Sequence, residues 1–279
     1  MLAYPTTGCI MILSRLLQIK RPLAKGKAML WRKIVASLFF GVMLAGCATS
    51  QQVNPSDSAD DPLEAVNRSV YQFNEGLDTY ALAPASRGWT RITTRGMRYS
   101  VENFFDNLES PGYILNDLLQ GKAGQASVQT MRFVVNSTVG IFGLFDPAQA
   151  WLGLKGRPED FGQTLGVWGV DDGPYLVVPV YGPSSGRDIT RYPVAYYTNV
   201  LTYVTLDTLS FGTLTAVNIV NARAQGERLA RFRDESSLDP YIFTRSAYRQ
   251  YRQNQTYDGN PPQNEDPYGE FFDAMEADN

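Results

Sequence analysis

The most enzyme-like pattern in this 279-residue sequence is a serine in a glycine-rich pentapeptide, GPSSG at residues 182–186. Its G-x-S-x-G spacing matches the elbow that presents a nucleophilic serine in some hydrolases. Such a serine needs a base, but the sequence has no histidine, and its only lysines after residue 46 are Lys122 and Lys155. We therefore expect a turn here, and a phospholipase using Ser184 or Ser185 is the disfavoured alternative.

Two adjacent carboxylates, Glu159 and Asp160, could suggest acid–base chemistry. Asp160 is better explained as the N-cap of a helix, because Gln163 follows it at capping-box spacing. No group of Cys, His, Asp or Glu residues has the spacing of a metal site. The sequence therefore predicts no catalytic residues, no metal and no cofactor, so we do not expect an enzyme.

Four arginines recur at near-helical intervals: Arg87, Arg91, Arg95 and Arg98. On one continuous helix they would share an arc of ~80°. Guanidinium groups match phosphate geometry, which favours contacts with lipid phosphate or a partner. The alternative is a solvated face whose aliphatic stems cover apolar neighbours, and Gly88 and Gly96 could interrupt the helix.

The segment that ends at Cys47 has the features of an export signal. Arg32 and Lys33 precede the eleven-residue apolar stretch Ile34–Leu44, and Leu-Ala-Gly-Cys closes it at Cys47. That stretch is too short for a stable membrane span. We predict a bacterial lipoprotein signal peptide over residues 29–46 with lipid attached to Cys47, and we interpret residues 1–28 as an extension upstream of the true start.

Residues 47–60 are expected to link the lipid anchor to the folded body. Acyl chains on Cys47 would hold the protein at a membrane. Ala48 follows the cysteine in place of aspartate, which resembles lipoproteins exported to the outer membrane. The polar residues 48–60 predict a flexible tether with a reach of roughly 20 Å.

Charge bounds the partners of the mature chain. Removing the first 46 residues leaves 233 residues with 18 basic and 28 acidic side chains, a balance of −10. This balance argues against nucleic acid and against polybasic binding to anionic lipid. We expect one helical domain over residues 61–253, followed by an acidic, disordered tail over residues 254–279.

Several local signals predict a mainly helical domain. Asp61 with Pro62 and Glu64 has the pattern of a capped helix start, and similar starts recur at Asp146, Asp160 and Asp239. We also predict a helix from about Met97 that ends near Pro111 and a short helix over Tyr113–Gln120. Tyr175–Tyr181 should be extended. Tyr196–Phe211 should be a helix, with a strand as the alternative.

Arg132–Asp188 holds 10 of the 24 glycines and apolar runs such as Val139–Phe145. These runs are broken before any reaches the roughly 20 residues that span a bilayer. A bent, apolar, glycine-rich segment suits a body that sits in lipid without crossing it.

Five stretches resemble the MlaA/VacJ family of outer-membrane lipoproteins, in the same order and together covering about Asp61–Gln253. They are DPLEAVNRSVYQFNEGLD (61–78), NFFDNLESP (103–111), RFVVNSTVGIFGLFD (132–146), EDFGQTLGVWGVDDGPYLVVPVYGPSSGRD (159–188) and DPYIFTRSAY (239–248).

The resemblance implies a mainly α, ring- or disc-like helical bundle with at most a short β-hairpin. The family is lodged in the inner leaflet of the outer membrane beside trimeric porins and surrounds an amphipathic channel. It removes mislocalised phospholipids from the outer leaflet and passes them to a soluble periplasmic carrier, which maintains lipid asymmetry. The alternative is a scaffolding lipoprotein without its own lipid conduit.

The glycine-rich Val139–Gly173 segment is our candidate for a mobile channel wall. Its expected channel or hinge residues are Gly140, Phe142, Gly143, Phe145, Gly166 and Gly169.

Overall fold

The computed structural model describes residues 61–204 and 207–262. The predicted signal peptide, Cys47 and the tether lie outside the described residues, as does the predicted tail beyond residue 262. Helices account for most of the described chain, and one two-stranded hairpin accompanies them, which confirms the predicted mainly α fold.

Ten α-helices and two strands, with a π-helical turn at Asp78–Leu82 and a 3-10 turn at Asp188–Thr190, make up the described residues. In chain order they are α1 Glu64–Leu77, α2 Ala83–Ile92, α3 Arg95–Leu119, α4 Ala123–Thr138, α5 Pro147–Leu152, α6 Phe161–Val167, β1 Tyr175–Val178, β2 Gly182–Ser185, α7 Arg191–Thr198, α8 Leu201–Val204, α9 Thr208–Ser236 and α10 Pro240–Thr256.

The start of α1 differs from the predicted capping box. The helix begins at Glu64, after a turn over residues 61–63, and the Glu64 carboxylate accepts from Arg68 at 2.6 Å. The buried Asp61 carboxylate accepts from Asn67 at 3.0 Å and from the hydroxyl of Tyr241. Asp61 therefore joins the two ends of the domain instead of capping its first helix.

The prediction that one helix ends near Pro111 and another begins at Tyr113 is wrong. α3 is 25 residues long and continues through Pro111. A proline removes one backbone hydrogen bond from a helix, but tertiary contacts hold this part of α3. The Leu108 carbonyl accepts from the Val200 amide at 3.0 Å. A Cβ added at Gly112 would lie 2.7 Å from Oγ1 of Thr198, so α3 and α7 are in close contact.

The region predicted as one helix over Tyr196–Phe211 is instead interrupted. α7 ends at Thr198, α8 is one turn long, and α9 begins at Thr208. The Asn199 side chain accepts from the Leu201 amide at 2.8 Å, which starts α8. The Asp207 side chain accepts from the Ser210 amide at 3.3 Å and so caps α9. These local side-chain bonds compete with a continuous helix.

The hairpin corrects the expectation of a turn at GPSSG. β1 and β2 are antiparallel, with Tyr175 opposite Ser185, so the first four residues of the pentapeptide form the second strand and Gly186 begins the following turn. The free edge of β1 is covered by a side chain of α1: the Asn67 amide donates to the Tyr175 carbonyl and accepts from the Val177 amide, both at 2.9 Å. Asn67 thus satisfies backbone groups that an edge strand would otherwise leave unpaired.

The interior is more polar than that of an ordinary water-soluble domain. Among the described residues, 11 hydrophobic side chains are buried, against 24 polar or charged ones. The apolar interior consists of two small clusters, one around Phe105 and Phe211 and one around Tyr175 and Tyr241. Buried polar groups require partners, so hydrogen bonds and ion pairs determine much of the packing.

The densest of these polar contacts surrounds Arg252, which is 2% exposed. Its guanidinium donates to Asp160 at 2.6 and 2.9 Å and to Asp188 at 2.7 and 2.9 Å. Burial alone would raise the pKa of each carboxyl, but the charge and hydrogen bonds of the Arg252 guanidinium hold both pKa values below their usual range. A Cβ at Gly162 would lie 2.5 Å from Oδ1 of Asp188, so this close approach requires glycine.

α10 runs to Thr256, three residues beyond the predicted domain boundary at residue 253. Gln255 lies in this last turn and accepts from Arg252 at 2.9 Å. No helix within residues 61–204 and 207–262 combines the length and the apolar character needed to cross a bilayer.

Replacing Arg252 with methionine should lower the free energy of unfolding by about 3–5 kcal/mol at pH 7, because the buried Asp188 and the half-buried Asp160 lose their cation. The loss should be smaller at pH 3: a carboxyl with a depressed pKa stabilises the fold above about pH 4 and loses that effect as the pH falls. Urea unfolding at both pH values measures the difference.

The matched control is Arg231→Gln, since Arg231 is 68% exposed in its pair with Glu227. Exposed pairs contribute about 0–1 kcal/mol. Equal losses in the two variants would contradict the assigned role of Arg252.

Candidate functional site: a polar cavity within an apolar exterior

A cavity of about 420 Å³ lies between α3, α6, α7, α9, α10 and the segment before α6. Its volume falls within the range of small-molecule sites. Its wall is mixed, with aromatic residues such as Phe105 and Tyr113 beside several charged side chains. The cavity is therefore a space between the helices and the hairpin whose mixed wall contains both apolar and charged side chains.

One face of α3 supplies a row of carboxylates to the cavity: Glu102, Asp106 and Glu109. The spacing of four and three residues places them on one side of a helix. Glu102 accepts from Gln225 at 2.5 Å, and Glu109 accepts from the Tyr113 hydroxyl at 3.0 Å.

Asp106 differs from its two neighbours in the row. Its carboxylate has no hydrogen-bond or ion-pair partner among the described residues. The side chain is exposed to the cavity, yet the surrounding protein limits the water that can solvate its charge. This desolvation, with the charges of Glu109 and Glu102, raises the pKa of Asp106 to about 7.

Two arginines supply the positive charge of the cavity wall. Arg252 is saturated by Asp160 and Asp188, as described above. The Arg191 guanidinium lies 4.9 Å from the centre of the Tyr192 ring and donates to the Tyr192 hydroxyl at 3.1 Å. Its buried Nε has no hydrogen-bond partner in the described part of the chain. Arg191 also has no ion-pair partner among the described residues, so its charge can act on an anion in the cavity.

The exterior carries the apolar side chains that the interior lacks. Among the described residues, 31 large hydrophobic side chains are exposed, including Trp151 at 73%. Soluble monomers rarely expose large apolar patches, and such patches mark membrane or protein contacts. Trp168, which follows α6, donates from Nε1 to the carbonyl of Leu119, the last residue of α3, at 3.0 Å. These two exposed residues are therefore neighbours.

The segment Val139–Phe145, here called the apolar loop, contributes to this exterior. Ile141 and Phe142 have positive φ values of 54° and 57°, an uncommon conformation for bulky residues. Their side chains are exposed, Phe142 by 72%. The Gly143 amide donates to the Asn136 carbonyl at 2.8 Å, so hydrogen bonds hold the loop in a shape that presents its apolar groups outward.

None of the six predicted channel or hinge residues lies in the cavity wall. Phe142 and Phe145 are exposed on the apolar loop, and Gly140 and Gly143 belong to the same loop. Gly166 packs against Arg187, where a Cβ would lie 2.7 Å from Nη1, and Gly169 follows α6 with a φ of 87°. The structure places four of them together and two near α6. Their role in a channel stays a prediction.

The four arginines would share one arc only on a continuous helix. They lie instead on two helices, α2 and α3. α2 ends at Ile92, Thr93 is extended, and Thr94 caps α3 by accepting from the Met97 amide at 3.3 Å. Arg87, Arg91 and Arg95 are exposed, whereas Arg98 is half-buried and donates to the Thr93 carbonyl at 2.8 Å. Their proposed contacts with phosphate or a partner stay a prediction.

The serines of GPSSG are buried. The Ser185 hydroxyl accepts from the Asp188 amide at 3.1 Å, while Ser184 Oγ has no partner among the described residues. Lys122 pairs with Glu159 at 3.1 Å and with Asp258 at 2.7 Å. Ser185 and Lys122 are thus held in structural contacts, and none of these contacts places a base beside a serine.

Among the charged residues of the cavity wall, the sequence analysis singled out Glu159 and Asp160 and missed the others. The carboxylate row of α3 had a usable signal, because Glu102, Asp106 and Glu109 repeat at helical spacing opposite the apolar face. Arg191 and Arg252 had no such signal, since their partners lie on other elements.

Comparisons with known proteins agree with this geometry. A family model described as MlaA lipoprotein matches residues 59–255. The chain is 35% identical over 218 residues to the intermembrane phospholipid transport system lipoprotein MlaA of Escherichia coli strain K12, covering 75% of this chain and 82% of that protein. It is 32% identical over 234 residues to the Haemophilus influenzae protein of the same name, covering 82% and 92%.

A solved structure from a study of the structural basis for maintenance of bacterial outer membrane lipid asymmetry is also similar. It has a TM-score of 0.61 and 32% sequence identity, and the match covers 72% of this chain and 99% of that chain. The fold, the apolar exterior and these relatives define a membrane-associated lipoprotein with a helical body. The chain belongs to the MlaA lipoprotein family.

Replacing Gly143 with alanine should destabilise the protein more than replacing Gly153 does. Both glycines have positive φ values, so each substitution should cost about 1 kcal/mol of backbone strain. A Cβ at Gly143 would also collide with the Asn107 side chain, whereas Gly153 has open space. Overpacking adds about 1–3 kcal/mol. Chemical denaturation measures both variants, and equal losses would contradict the close contact.

Replacing Asp106 with asparagine should raise the melting temperature at pH 8 more than at pH 5. A carboxyl whose pKa rises to about 7 on folding disfavours the folded state above that pH and has little effect below about pH 4. After allowance for solvent screening we expect about 2–4 °C at pH 8. The exposed Asp171→Asn is the control, and an unchanged melting temperature at pH 8 would contradict the pKa assignment.

Proposed function

We propose that this protein moves phospholipids through its cavity at the outer membrane of a Gram-negative bacterium. It removes mislocalised phospholipids from the outer leaflet and passes them to a soluble periplasmic carrier, which maintains lipid asymmetry. The observation that carries this proposal is the reversed distribution of polarity: charged side chains line an internal cavity, and large apolar side chains are exposed outside. The names of the relatives support the same role.

The charged side chains of the cavity wall suit the headgroup of a phospholipid. Moving an unpaired polar or charged group through hydrocarbon is strongly unfavourable. A cavity lined by carboxylates and by Arg191 offers that group hydrogen bonds and counter-charges. The acyl chains need no such protection, so they can remain in the surrounding lipid while the headgroup passes.

The apolar exterior suits a body held within one leaflet. None of the helices over the described residues is suited to crossing a bilayer, and the exposed Trp151 and Phe142 need an apolar environment. Acyl chains on Cys47 would keep the body at the periplasmic face of the outer membrane. A trimeric porin beside it would be a second support within the membrane.

The scaffolding alternative predicts no need for an open cavity, so blocking the cavity separates the two functions. Ala222 lies on α9 in the cavity wall, and Ala222→Trp should fill part of the space. In cells carrying only this variant, labelling of surface-exposed phospholipid should rise to the level of a deletion strain. Sensitivity to detergent with EDTA should rise with it.

The matched control is Ala216→Trp, because Ala216 is exposed on the same helix and is not part of the cavity wall. This variant should keep surface phospholipid at the wild-type level. If Ala222→Trp also does so while the purified protein stays folded, the scaffolding function replaces the conduit. A lipid-hydrolysing activity that is lost on Ser184→Ala or Ser185→Ala would instead support the phospholipase alternative.

A further inference from the structure

Two charges of opposite sign in the cavity wall, Asp106 and Arg191, come from different helices and lack ion-pair partners among the described residues. Glu102 and Glu109 accept hydrogen bonds from Gln225 and Tyr113. Glu159 is paired with Lys122, and Asp160 is paired with Arg252. Asp106 on α3 has no partner among the described residues, and neither does Nε of Arg191 on α7. After these internal pairs are formed, the Asp106 carboxylate and the Arg191 guanidinium remain in the cavity wall without an ion-pair partner among the described residues.

This pair of charges matches a ligand that carries both signs. A phosphodiester anion fits a guanidinium, which binds phosphate oxygens through several N–H groups. An ammonium group fits a carboxylate, and the attraction is stronger in a cavity than in bulk water. A phosphoethanolamine headgroup carries a phosphodiester and an ammonium joined by two carbons, whereas a phosphoglycerol headgroup carries the phosphodiester alone.

The carboxylate row would also discriminate against anionic headgroups. Glu102 and Glu109 lie on either side of Asp106 along α3 and add negative charge to the same wall. A headgroup without an ammonium brings its phosphate towards these carboxylates and gains no compensating contact. Like charges in a poorly solvated space repel one another, so the row acts against such a ligand.

We propose that the cavity selects zwitterionic phospholipids, with Arg191 binding the phosphate and Asp106 binding the headgroup ammonium. This inference rests on the proposed transport function and names its substrate class.

Selection by Asp106 should depend on pH. Besides Glu102 and Glu109 on its own helix, the charged groups that act on Asp106 are Arg132 of α4 and Asp146 before α5. Their combined effect with desolvation leaves Asp106 ionised at pH 8 and protonated at pH 5. The phosphodiester and the ammonium keep their charges over this range, so a change in selection reports the protein side chain.

The experiment loads the purified full mature chain from vesicles of equal parts phosphatidylethanolamine and phosphatidylglycerol at pH 8. Mass spectrometry then measures the ratio of the two lipids bound. The wild type should enrich phosphatidylethanolamine over the vesicle ratio, and Asp106→Asn should lower that enrichment about tenfold, the effect of losing one charge-assisted contact. The exposed Asp171→Asn should behave as the wild type.

Arg191→Gln provides a second, different readout. It should lower the amount of both lipids bound and leave their ratio nearly unchanged, because both headgroups carry the phosphate. Arg191→Lys keeps the charge and should restore part of the loading. If Asp106→Asn fails to fold, the wild type at pH 5 replaces it and should show the same loss of enrichment.

The outcomes separate the two proposals. A wild-type protein that binds neither lipid would overturn the transport function itself. A wild-type protein that binds both lipids in the vesicle ratio, or an Asp106→Asn protein with undiminished enrichment, would overturn headgroup selection and leave transport standing.

Discussion

The ion pairs of Arg252 are the interaction on which the rest of the fold depends. Its guanidinium joins the last helix to Asp160 at the start of α6 and to Asp188 after the hairpin. The Tyr248 hydroxyl donates to the same Asp188 at 2.6 Å. Because a buried charge needs its partner, these contacts fix the positions of α6, α10 and the segment after the hairpin relative to one another. They also form one side of the cavity.

A polar interior with an apolar exterior changes what holds the chain together. In water the hydrophobic effect drives apolar groups inward, but here the apolar clusters around Phe105 and Tyr175 are small. Hydrogen bonds such as those between Asn67 and β1 therefore determine which elements contact one another. Lipid removes the cost of exposing groups such as Phe142, so the arrangement suits a membrane and leaves space for polar groups at the centre.

Local signals predicted the helical elements well, and they failed where distant contacts intervene. Asp146, Asp160 and Asp239 all cap helices as expected, because a cap involves an amide only two or three residues away. α3 passes through Pro111 since α7 and the α8 entry support it from outside. GPSSG became a strand because β1 pairs with it, which no feature of the pentapeptide could indicate.

The sequence alone determined the helical character of the domain, its family resemblance, the predicted lipid attachment at Cys47 and the lack of a histidine base. These properties depend on residue types and on spacings of a few residues. Only the tertiary structure decided that Asp106 and Arg191 line one cavity and that the apolar loop faces outward. Such contacts join residues far apart in the chain, and their formation depends on how all the helices pack together.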